Sequence, residues 1–155
     1  MTEVRLRLDD QLCFALYAAT IAITRAYRPL LRKLGITYPQ YLTLMALWQH
    51  GDATVGELAR RLDLPPHALT PLLRRLERAG LILRRRSPLD TRVVLVELTP
   101  DGVRLEQAAA AVQCTVACST GLTPHALAAL RGKLHDLVND LRVTASHSQL
   151  MEGRS

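Results

Sequence analysis

The chain has 155 residues, of which 48% are hydrophobic and only 4% aromatic. This length fits a single domain with its own core, and the abundance of alanine and leucine predicts a mainly helical fold. Three cysteines do not suggest the disulfide scaffold of a secreted protein, and no apolar run is long enough to cross a membrane. We therefore expect a cytoplasmic protein in a reducing compartment, without membrane association.

The net charge of +6 is concentrated in one segment of the chain. Nine arginines and three acidic residues lie between Arg60 and Arg92, and they account for the whole excess of positive charge. A basic segment in an otherwise neutral protein is typical of an element that binds a polyanion. A solvated basic surface without a partner is the alternative interpretation.

The first half of the chain predicts four helices. "DDQLCFALYAATIAITRAYRPLLRKLG" carries apolar residues at helical spacing, and "TYPQ" and "TVGE" are capping boxes in which Thr37 and Thr54 start the next two helices. Pro71 falls inside the fourth pattern, which predicts either a helix that starts near His67 or a bend. The four predicted helices span about residues 8–34, 38–50, 54–61 and 67–80.

After Gly80 the period changes from helix to strand. "LILRRRSPLDTRVVLVEL" has β-branched residues and alternation around a Pro-Leu-Asp-Thr tip, which predicts a β-hairpin over residues 81–98. Thr99 and Pro100 then start a helix to about residue 120, and a last helix spans about residues 124–143. Residues 144–155 lack a pattern, and we expect a disordered tail.

A short helix, a turn, a second helix and an arginine-rich hairpin together predict a winged helix-turn-helix. Such a helix enters the major groove of duplex DNA with its first residues facing the base edges, and a hairpin tip places an arginine in the minor groove. Asp90 lies two residues before Arg92 and is placed to hold it by a charge-assisted pair. The predicted DNA-contacting residues are His67, Thr70, Arg74, Arg75, Arg84, Arg86, Asp90 and Arg92.

The segment "LTPLLRRLERAGLILRRRSPLDTRVVLVELTPDG", with its Asp-x-Arg, resembles the MarR family of winged-helix repressors over about residues 7–142. "QLCFALY", "AYRPLL" and "ITYPQYL" resemble the organic hydroperoxide sensors of that family, the OhrR group. The resemblance implies a homodimeric repressor that binds a palindromic operator in double-stranded DNA. It also implies that an organic hydroperoxide oxidises Cys13 and thereby releases the operator. No cofactor, metal or enzymatic activity is expected.

The resemblance assigns hydrogen bonding of the Cys13 thiolate to Tyr27 and Tyr38. Cys13 and Tyr27 are fourteen residues apart on one predicted helix, about 21 Å along its axis, and cannot meet within it. Two such helices that run antiparallel across a two-fold axis would bring Cys13 of one chain to Tyr27 of the other, which predicts a shared site in a dimer. Phe14 and Tyr17 would give the peroxide an apolar approach. An inert, packed Cys13 is the alternative.

Cys114 and Cys118 lie one helical turn apart and share a face. Members of the group divide into those with a resolving cysteine late in the chain and those that pair with a small cellular thiol. By its place in the chain Cys118 matches the late cysteine better, with Cys114 as the alternative, so the resemblance implies an intersubunit Cys13–Cys118 disulfide. Packing within dimerisation helices is the other interpretation of both residues.

We predict one MarR-type chain over residues 1–155, with dimerisation helices in 1–36 and 100–143 around a winged helix-turn-helix in 37–99. Three other functions remain open. A repressor relieved by a reversible phenolic or drug-like ligand would give Cys13 no role. A thiol peroxidase would leave the basic segment unused. A metal sensor would use Cys114, Cys118 and His125, but further ligands are not at a standard spacing.

Overall fold

The computed structural model describes residues 7–152, and the surroundings of side chains as far as Ala145. Helices dominate and one small sheet accompanies them, which confirms the predicted fold class. No helix within the described residues is long and apolar enough to cross a membrane. The elements are α1 (Leu12–Lys33), α2 (Tyr38–His50), β1 (Ala53–Thr54), α3 (Val55–Arg61), α4 (Pro66–Arg78), β2 (Ile82–Arg86), β3 (Val94–Leu98), α5 (Pro100–Ser119) and α6 (Pro124–Glu152).

Helix α1 begins later than predicted, because a short 3-10 turn at Leu8–Asp10 and an extended Gln11 (φ −90°, ψ 118°) precede it. The start of α2 agrees with the prediction. The Thr37 hydroxyl accepts from the backbone N–H of Gln40 (3.5 Å), and the side-chain oxygen of Gln40 accepts from the backbone N–H of Thr37 (2.8 Å). This reciprocal cap satisfies two backbone donors that would otherwise lack partners.

The helix-turn-helix consists of α3, a four-residue turn and α4. Thr54 and Glu57 form the predicted capping box of α3. Helix α4 begins at Pro66 and continues through Pro71. Pro71 cannot donate to the His67 carbonyl, but both residues are exposed, so water is able to hydrate that carbonyl.

The sheet has the strand order β1–β3–β2, and both pairs are antiparallel. Strands β2 and β3 form the predicted hairpin, with Ile82 opposite Leu98 and Arg86 opposite Val94. Strand β1 was not predicted. Its two residues pair with Val96 and Leu95 and are too few to show the alternation that identifies a strand from sequence.

The chain divides into two units, one up to Val116 and one from Ala117. The first unit contains a core in which nine leucine, isoleucine and valine side chains are no more than 1% exposed. In the second unit no residue of α6 with a described side chain is buried. These nine side chains are Leu31, Leu44, Leu47, Leu58, Leu69, Leu73, Leu76, Ile82 and Val96.

The end of the chain corrects one prediction. Residues 144–155 were expected to be disordered, but α6 continues through Glu152. The stretch "TASHSQLME" contains neither glycine nor proline, so nothing in it ends a helix that has already formed. Residues 153–155 lie outside the described part of the chain.

Candidate nucleic-acid interface and thiol site

One side of α4 is buried and the other is basic. Leu69, Leu73 and Leu76 are fully buried, which directs the opposite side of the helix towards solvent. His67 lies in the first turn of that exposed side. Arg74 and Arg75 lie further along it, and neither forms an ion pair with the described side chains. Thr70 is half-buried and donates its hydroxyl to the Pro66 carbonyl (3.1 Å).

The tip of the β2–β3 hairpin holds Arg92 in place. Asp90 accepts from the Arg92 backbone N–H (3.0 Å) and from its Nε (3.2 Å), and these hydrogen bonds lower the pKa of Asp90. Arg86 donates to the Thr91 carbonyl (3.0 Å). The Arg92 side chain is 90% exposed, so the guanidinium is oriented by Asp90 and remains accessible.

Arg84 binds an acidic side chain of the same protein. Its backbone N–H, Nε and Nη2 all donate to the Glu77 carboxylate at the end of α4, at 3.2, 3.0 and 2.7 Å. The side-chain hydrogen bond from Arg84 lowers the pKa of Glu77. Arg85, which points to the other face of β2, pairs with Glu97. Arg84 therefore fastens the hairpin to α4, and its predicted contact with DNA would have to compete with Glu77.

Three tyrosines of α1 and α2 form one cluster. The ring centroids of Tyr27 and Tyr38 are 5.1 Å apart, and Tyr41 lies 5.5 Å from Tyr27 and 6.1 Å from Tyr38. Burial raises the pKa of all three phenols. Tyr41 was missed by the sequence reading. Its spacing of three residues from Tyr38 on α2 was the available signal, since such residues are neighbours on a helix face.

Cys13 lies at the start of α1, and a single chain does not bring it to the tyrosine cluster. Cys13 and Tyr27 both lie on the continuous helix α1, where fourteen residues correspond to about 21 Å along the axis. Cys13 is exposed, and so are the nearby Phe14 (37%) and Tyr17 (64%), which do not enclose it. The predicted site is therefore incomplete within one chain.

Helix α1 has a stripe of residues at alternating spacings of four and three, the repeat that packs helices side by side. The stripe is exposed at its amino-terminal end, where Tyr17 is 64% exposed, and it is fully buried at Leu31. The hydroxyls of Thr20 and Thr24 donate to the carbonyls of Leu16 (2.9 Å) and Thr20 (2.8 Å), so both residues present methyl groups. This α1 stripe consists of Cys13, Tyr17, Thr20, Thr24, Tyr27 and Leu31.

Cys114 and Cys118 are both exposed on α5 and form no disulfide. Cys114 belongs to the first unit and Cys118 to the second. No group of three or more His, Cys, Asp or Glu side chains in the described part of the chain is arranged to hold a metal ion. The arrangement therefore gives no support to a metal site that combines the two cysteines with His125.

A groove of about 790 Å³ runs between α1 and the start of α2. Tyr38 lines it together with Arg25, Arg28 and Arg32, which lie at helical spacing on one side of α1. None of the three arginines forms an ion pair with a described side chain. The groove thus combines positive charge with apolar walls contributed by Ile21, Leu31 and Ile36.

Comparison with known proteins places this arrangement among regulators. A family model described as the MarR family matches residues 36–94. The organic hydroperoxide resistance transcriptional regulator of Bacillus subtilis (strain 168) is 43% identical over 88% of this chain and 92% of its own length. Reduced AbfR bound to DNA is a similar solved structure (TM-score 0.74, 32% identity, 91% of this chain and 99% of that one). A structure of AbfR with its disulfide formed matches with a TM-score of 0.64 and 32% identity, and covers 86% of this chain and 93% of its own. AbfR is a protein of Staphylococcus epidermidis.

Proposed function

This chain belongs to the MarR family of transcriptional regulators, and from that membership we propose a specific function. The protein is a homodimeric repressor that releases its operator when an organic hydroperoxide oxidises Cys13. The name of the Bacillus subtilis relative supports a hydroperoxide response. The observation that carries the proposal is the α1 stripe, which places Cys13 and Tyr27 on one side of one helix, fourteen residues apart.

The α1 stripe supports an antiparallel pair of α1 helices across a two-fold axis. Thr20 lies midway between Cys13 and Tyr27, so an axis at Thr20 sets Cys13 of each subunit opposite Tyr27 of the other. The exposed apolar start of α1 and the unburied α6 are surfaces that a second copy would cover. The dimerisation helices predicted in 1–36 and 100–143 are those same elements.

DNA binding is carried by α4 and the β2–β3 hairpin. The exposed side of α4 with His67, Arg74 and Arg75 suits the major groove, where base edges and phosphates lie within reach. Arg92, oriented by Asp90, suits the minor groove, whose negative potential attracts guanidinium groups. Two such modules related by a two-fold axis match a palindromic operator. AbfR, a similar protein, is solved bound to DNA.

In the reduced dimer the hydroxyls of Tyr27 and Tyr38 donate to the Cys13 thiolate of the partner subunit, which stabilises the thiolate over the thiol. The thiolate sulfur attacks one peroxide oxygen, the O–O bond breaks, and the leaving alkoxide takes a proton to become an alcohol. The sulfur is oxidised to a sulfenic acid. The Cys118 thiol of the other subunit then attacks that sulfur, an S–S bond forms, and water leaves.

Disulfide formation displaces Cys13 from its tyrosine donors. The dimer interface then has two arrangements, and the chemical state of Cys13 selects between them. In the oxidised arrangement the two α4 helices no longer match the spacing of successive major grooves, and affinity for the operator falls. AbfR, a similar protein, has been solved in a disulfide-bonded form, which supports the formation of the disulfide.

A second function draws on the groove beside Tyr38. Its three arginines, which form no ion pair with a described side chain, and its apolar walls suit a reversible anionic ligand such as a phenolic acid. Such a ligand would release the operator without any change at Cys13. The two functions therefore differ in whether the thiol is needed.

The test compares operator binding and non-reducing gels before and after one equivalent of cumene hydroperoxide. We expect the wild type to lose its operator and to form a covalent dimer that dithiothreitol reverses. Cys13→Ser should do neither, and Cys118→Ser should form no disulfide. Cys114→Ser is the matched control on the same helix and should respond like the wild type.

A Cys13→Ser variant that still releases its operator with peroxide would rule out the sensor proposed here. A wild type that never releases DNA with peroxide would have the same meaning. Release by a phenolic acid such as salicylate in Cys13→Ser, lost in Arg25→Gln/Arg28→Gln, would favour the reversible ligand.

A further inference from the structure

The groove beside Tyr38 carries positive charge that the described side chains do not neutralise. Three exposed arginines line it, and none of them forms an ion pair with a described side chain. These arginines are Arg25, Arg28 and Arg32. They lie three and four residues apart, so their charge extends about 10 Å along α1, beside apolar walls. An occupant of matching length would offer more than one negative charge together with apolar side chains.

The 3-10 turn that precedes α1, the acidic turn, has the complementary character. Its two carboxylates, Asp9 and Asp10, are both exposed. Of the two, only Asp10 has an ion-pair partner among the described side chains, Arg7 at 3.6 Å, and a pair on the surface contributes little. Leu8 (61% exposed) and Leu12 (59%) lie on either side of the carboxylates in the sequence. The acidic turn therefore presents negative charge and apolar surface together.

An α1 pair with its two-fold axis at Thr20 brings the acidic turn of one subunit to the groove of the other. This axis sets Arg28 and Arg32 opposite positions 12 and 8 of the partner subunit, and the two carboxylates lie between those positions. Two packed helices are about 8–10 Å apart, a distance that long arginine side chains span. The positive charge of one subunit therefore faces the negative charge of the other.

The groove also borders the proposed dimer interface. Thr24 and Leu31 belong both to the α1 stripe and to the lining of the groove, and Tyr38 lines the groove as well. The proposed function places Cys13 of the partner subunit at Tyr38, and Asp10 is three residues before Cys13. Three residues of chain span at most about 11 Å. The acidic turn therefore comes close to the groove once the thiol has reached the tyrosines.

We propose that the acidic turn of each subunit docks in the arginine-lined groove of the other, with its two carboxylates against Arg28 and Arg32 of the partner subunit. The proposal rests on the function inferred above, which supplies the antiparallel α1 pair and the shared thiol site. Docking anchors the chain immediately before Cys13 and so holds the thiol at the tyrosines of the partner subunit. The occupant of the groove is thus a second copy of this chain.

The first test reverses these charges in the full-length protein and measures how fast subunits exchange between labelled and unlabelled dimers. Asp9→Arg/Asp10→Arg should speed exchange about ten- to a hundredfold, because like charges then face one another. Arg28→Asp/Arg32→Asp should have the same effect. The combination of the two should return exchange towards the wild-type rate, since each pair is restored with opposite polarity. In about 1 M salt, where charges are screened beyond about 3 Å, all differences should shrink.

Arg25→Asp is the matched control for this experiment. Arg25 lines the same groove and is also exposed, but the two-fold axis sets it opposite Ala15 of the partner subunit. Arg25→Asp should therefore change the exchange rate much less than Arg28→Asp. The substituted side chains are exposed in one chain, and circular dichroism should show that every variant keeps its helices.

Crosslinking tests the same contact directly, in protein whose three native cysteines are replaced by serine. Asp9→Cys/Arg32→Cys should give covalent dimers with a short bis-maleimide. Leu12 and Arg32 are about 30 Å apart along α1, and Asp9 precedes Leu12, so this crosslink joins two subunits. Asp9→Cys/Lys33→Cys is the control and should crosslink poorly, because Lys33 is also exposed but lies about 100° further round the helix.

The inference is overturned if the combined reversal exchanges as fast as either partial reversal, or if positions 32 and 33 crosslink equally well. Salicylate binding that Arg28→Gln weakens, without any change in subunit exchange, would show that the groove holds a small anion instead. None of these results depends on peroxide. A dimeric wild type that peroxide does not oxidise would overturn the proposed function alone, so the two failures are distinguishable.

Discussion

Among single residues, the arginines between Arg60 and Arg92 differ in whether their guanidinium groups are bound within the chain or accessible to a partner. Arg84 gives three hydrogen bonds to Glu77, whereas Arg92 is oriented by Asp90 and stays 90% exposed. Positive charge alone therefore does not identify a DNA contact. Arg84 determines where the hairpin stands relative to α4, and Arg92 is presented by the hairpin.

The Glu77–Arg84 contact predicts a pH dependence of stability. The pKa of Glu77 is lower in the folded chain than the ordinary glutamate pKa of 4.5. The Glu77 carboxylate therefore contributes its full stabilisation of the fold at pH values above 4.5. It is lost as the pH falls through the lowered value, where the folded carboxylate takes up its proton. Glu77→Gln should therefore be less stable than the wild type at pH 7, and the gap should narrow towards pH 3.

The measurement is urea unfolding of both proteins at several pH values between 7 and 3. The Asp101→Asn variant is the control, because Asp101 pairs with Arg104 on the surface of α5 and both side chains are largely exposed. The free energy of unfolding of Asp101→Asn should differ little from that of the wild type at every pH. If the difference in the free energy of unfolding between Glu77→Gln and the wild type stays constant with pH, Arg84 does not stabilise the charge of the Glu77 carboxylate.

Side-chain pairings were predictable from sequence only where the partners are close in the chain. Asp90 and Arg92 are two residues apart in a tight hairpin tip, so their pairing followed from spacing. Glu77 has several arginines nearby, and the sequence could not show that it binds Arg84 across the turn between α4 and β2. Tyr41 was missed for a related reason, since its ring contacts with Tyr27 depend on packing between two helices.

At the scale of elements, α2, the residue before β2 and the start of α5 meet at Gly102, whose carbonyl accepts from the indole N–H of Trp48 on α2 (2.9 Å). A β-carbon there would lie 2.1 Å from the Leu81 carbonyl oxygen, so only glycine fits. The Gly102 N–H donates to the Thr99 hydroxyl (3.0 Å), which itself donates to the Gly80 carbonyl (2.6 Å). The start of α5 is thereby tied to the entry of the hairpin.

Gly102→Ala should destabilise the protein by about 1–3 kcal/mol or more, because the added methyl group forces backbone apart in a packed junction. Gly132→Ala on α6 is the matched control. No atom lies within 4 Å of its β-carbon, and alanine is the better helix former, so stability should stay equal or rise. Urea unfolding of the two variants measures the difference. Equal stability of the two would contradict the close approach at Gly102.

Elements with their own local signals were predicted well. The reciprocal caps at Thr37 and Thr54 predicted where α2 and α3 begin, because each cap is complete within four residues. Strand β1 has no such signal, since only its pairing with β3 defines it. The end of α6 was predicted too early because a weak apolar pattern was read as the end of the helix.

At the scale of the whole molecule, the predicted sensor can only be complete in an assembly. Cys13 is exposed in one chain, and its proposed hydrogen-bond donors lie at the other end of the same helix. The sequence predicted this conflict, because a fourteen-residue separation on one helix is fixed geometry. It could not predict the α1 stripe, whose threonines become apolar only through hydrogen bonds to their own helix.

Thr20→Glu should therefore abolish both the dimer and the peroxide response. At the proposed two-fold axis the two Thr20 side chains meet, so glutamate would place two like charges in an apolar interface. Thr20→Val is the control, because it keeps the shape and removes only a hydroxyl that is satisfied within its own helix. We expect sedimentation velocity to show monomers for Thr20→Glu and dimers for Thr20→Val.

Operator binding and oxidation follow from the same interface. Thr20→Glu should bind the palindromic operator far more weakly than Thr20→Val, because each monomer contacts a single half-site. Its Cys13 should also react more slowly with peroxide, since the tyrosine donors of the partner subunit are missing. A Thr20→Glu protein that remains dimeric and is oxidised at the wild-type rate would mean that the α1 helices do not cross at Thr20, and that Cys13 finds its donors by another arrangement.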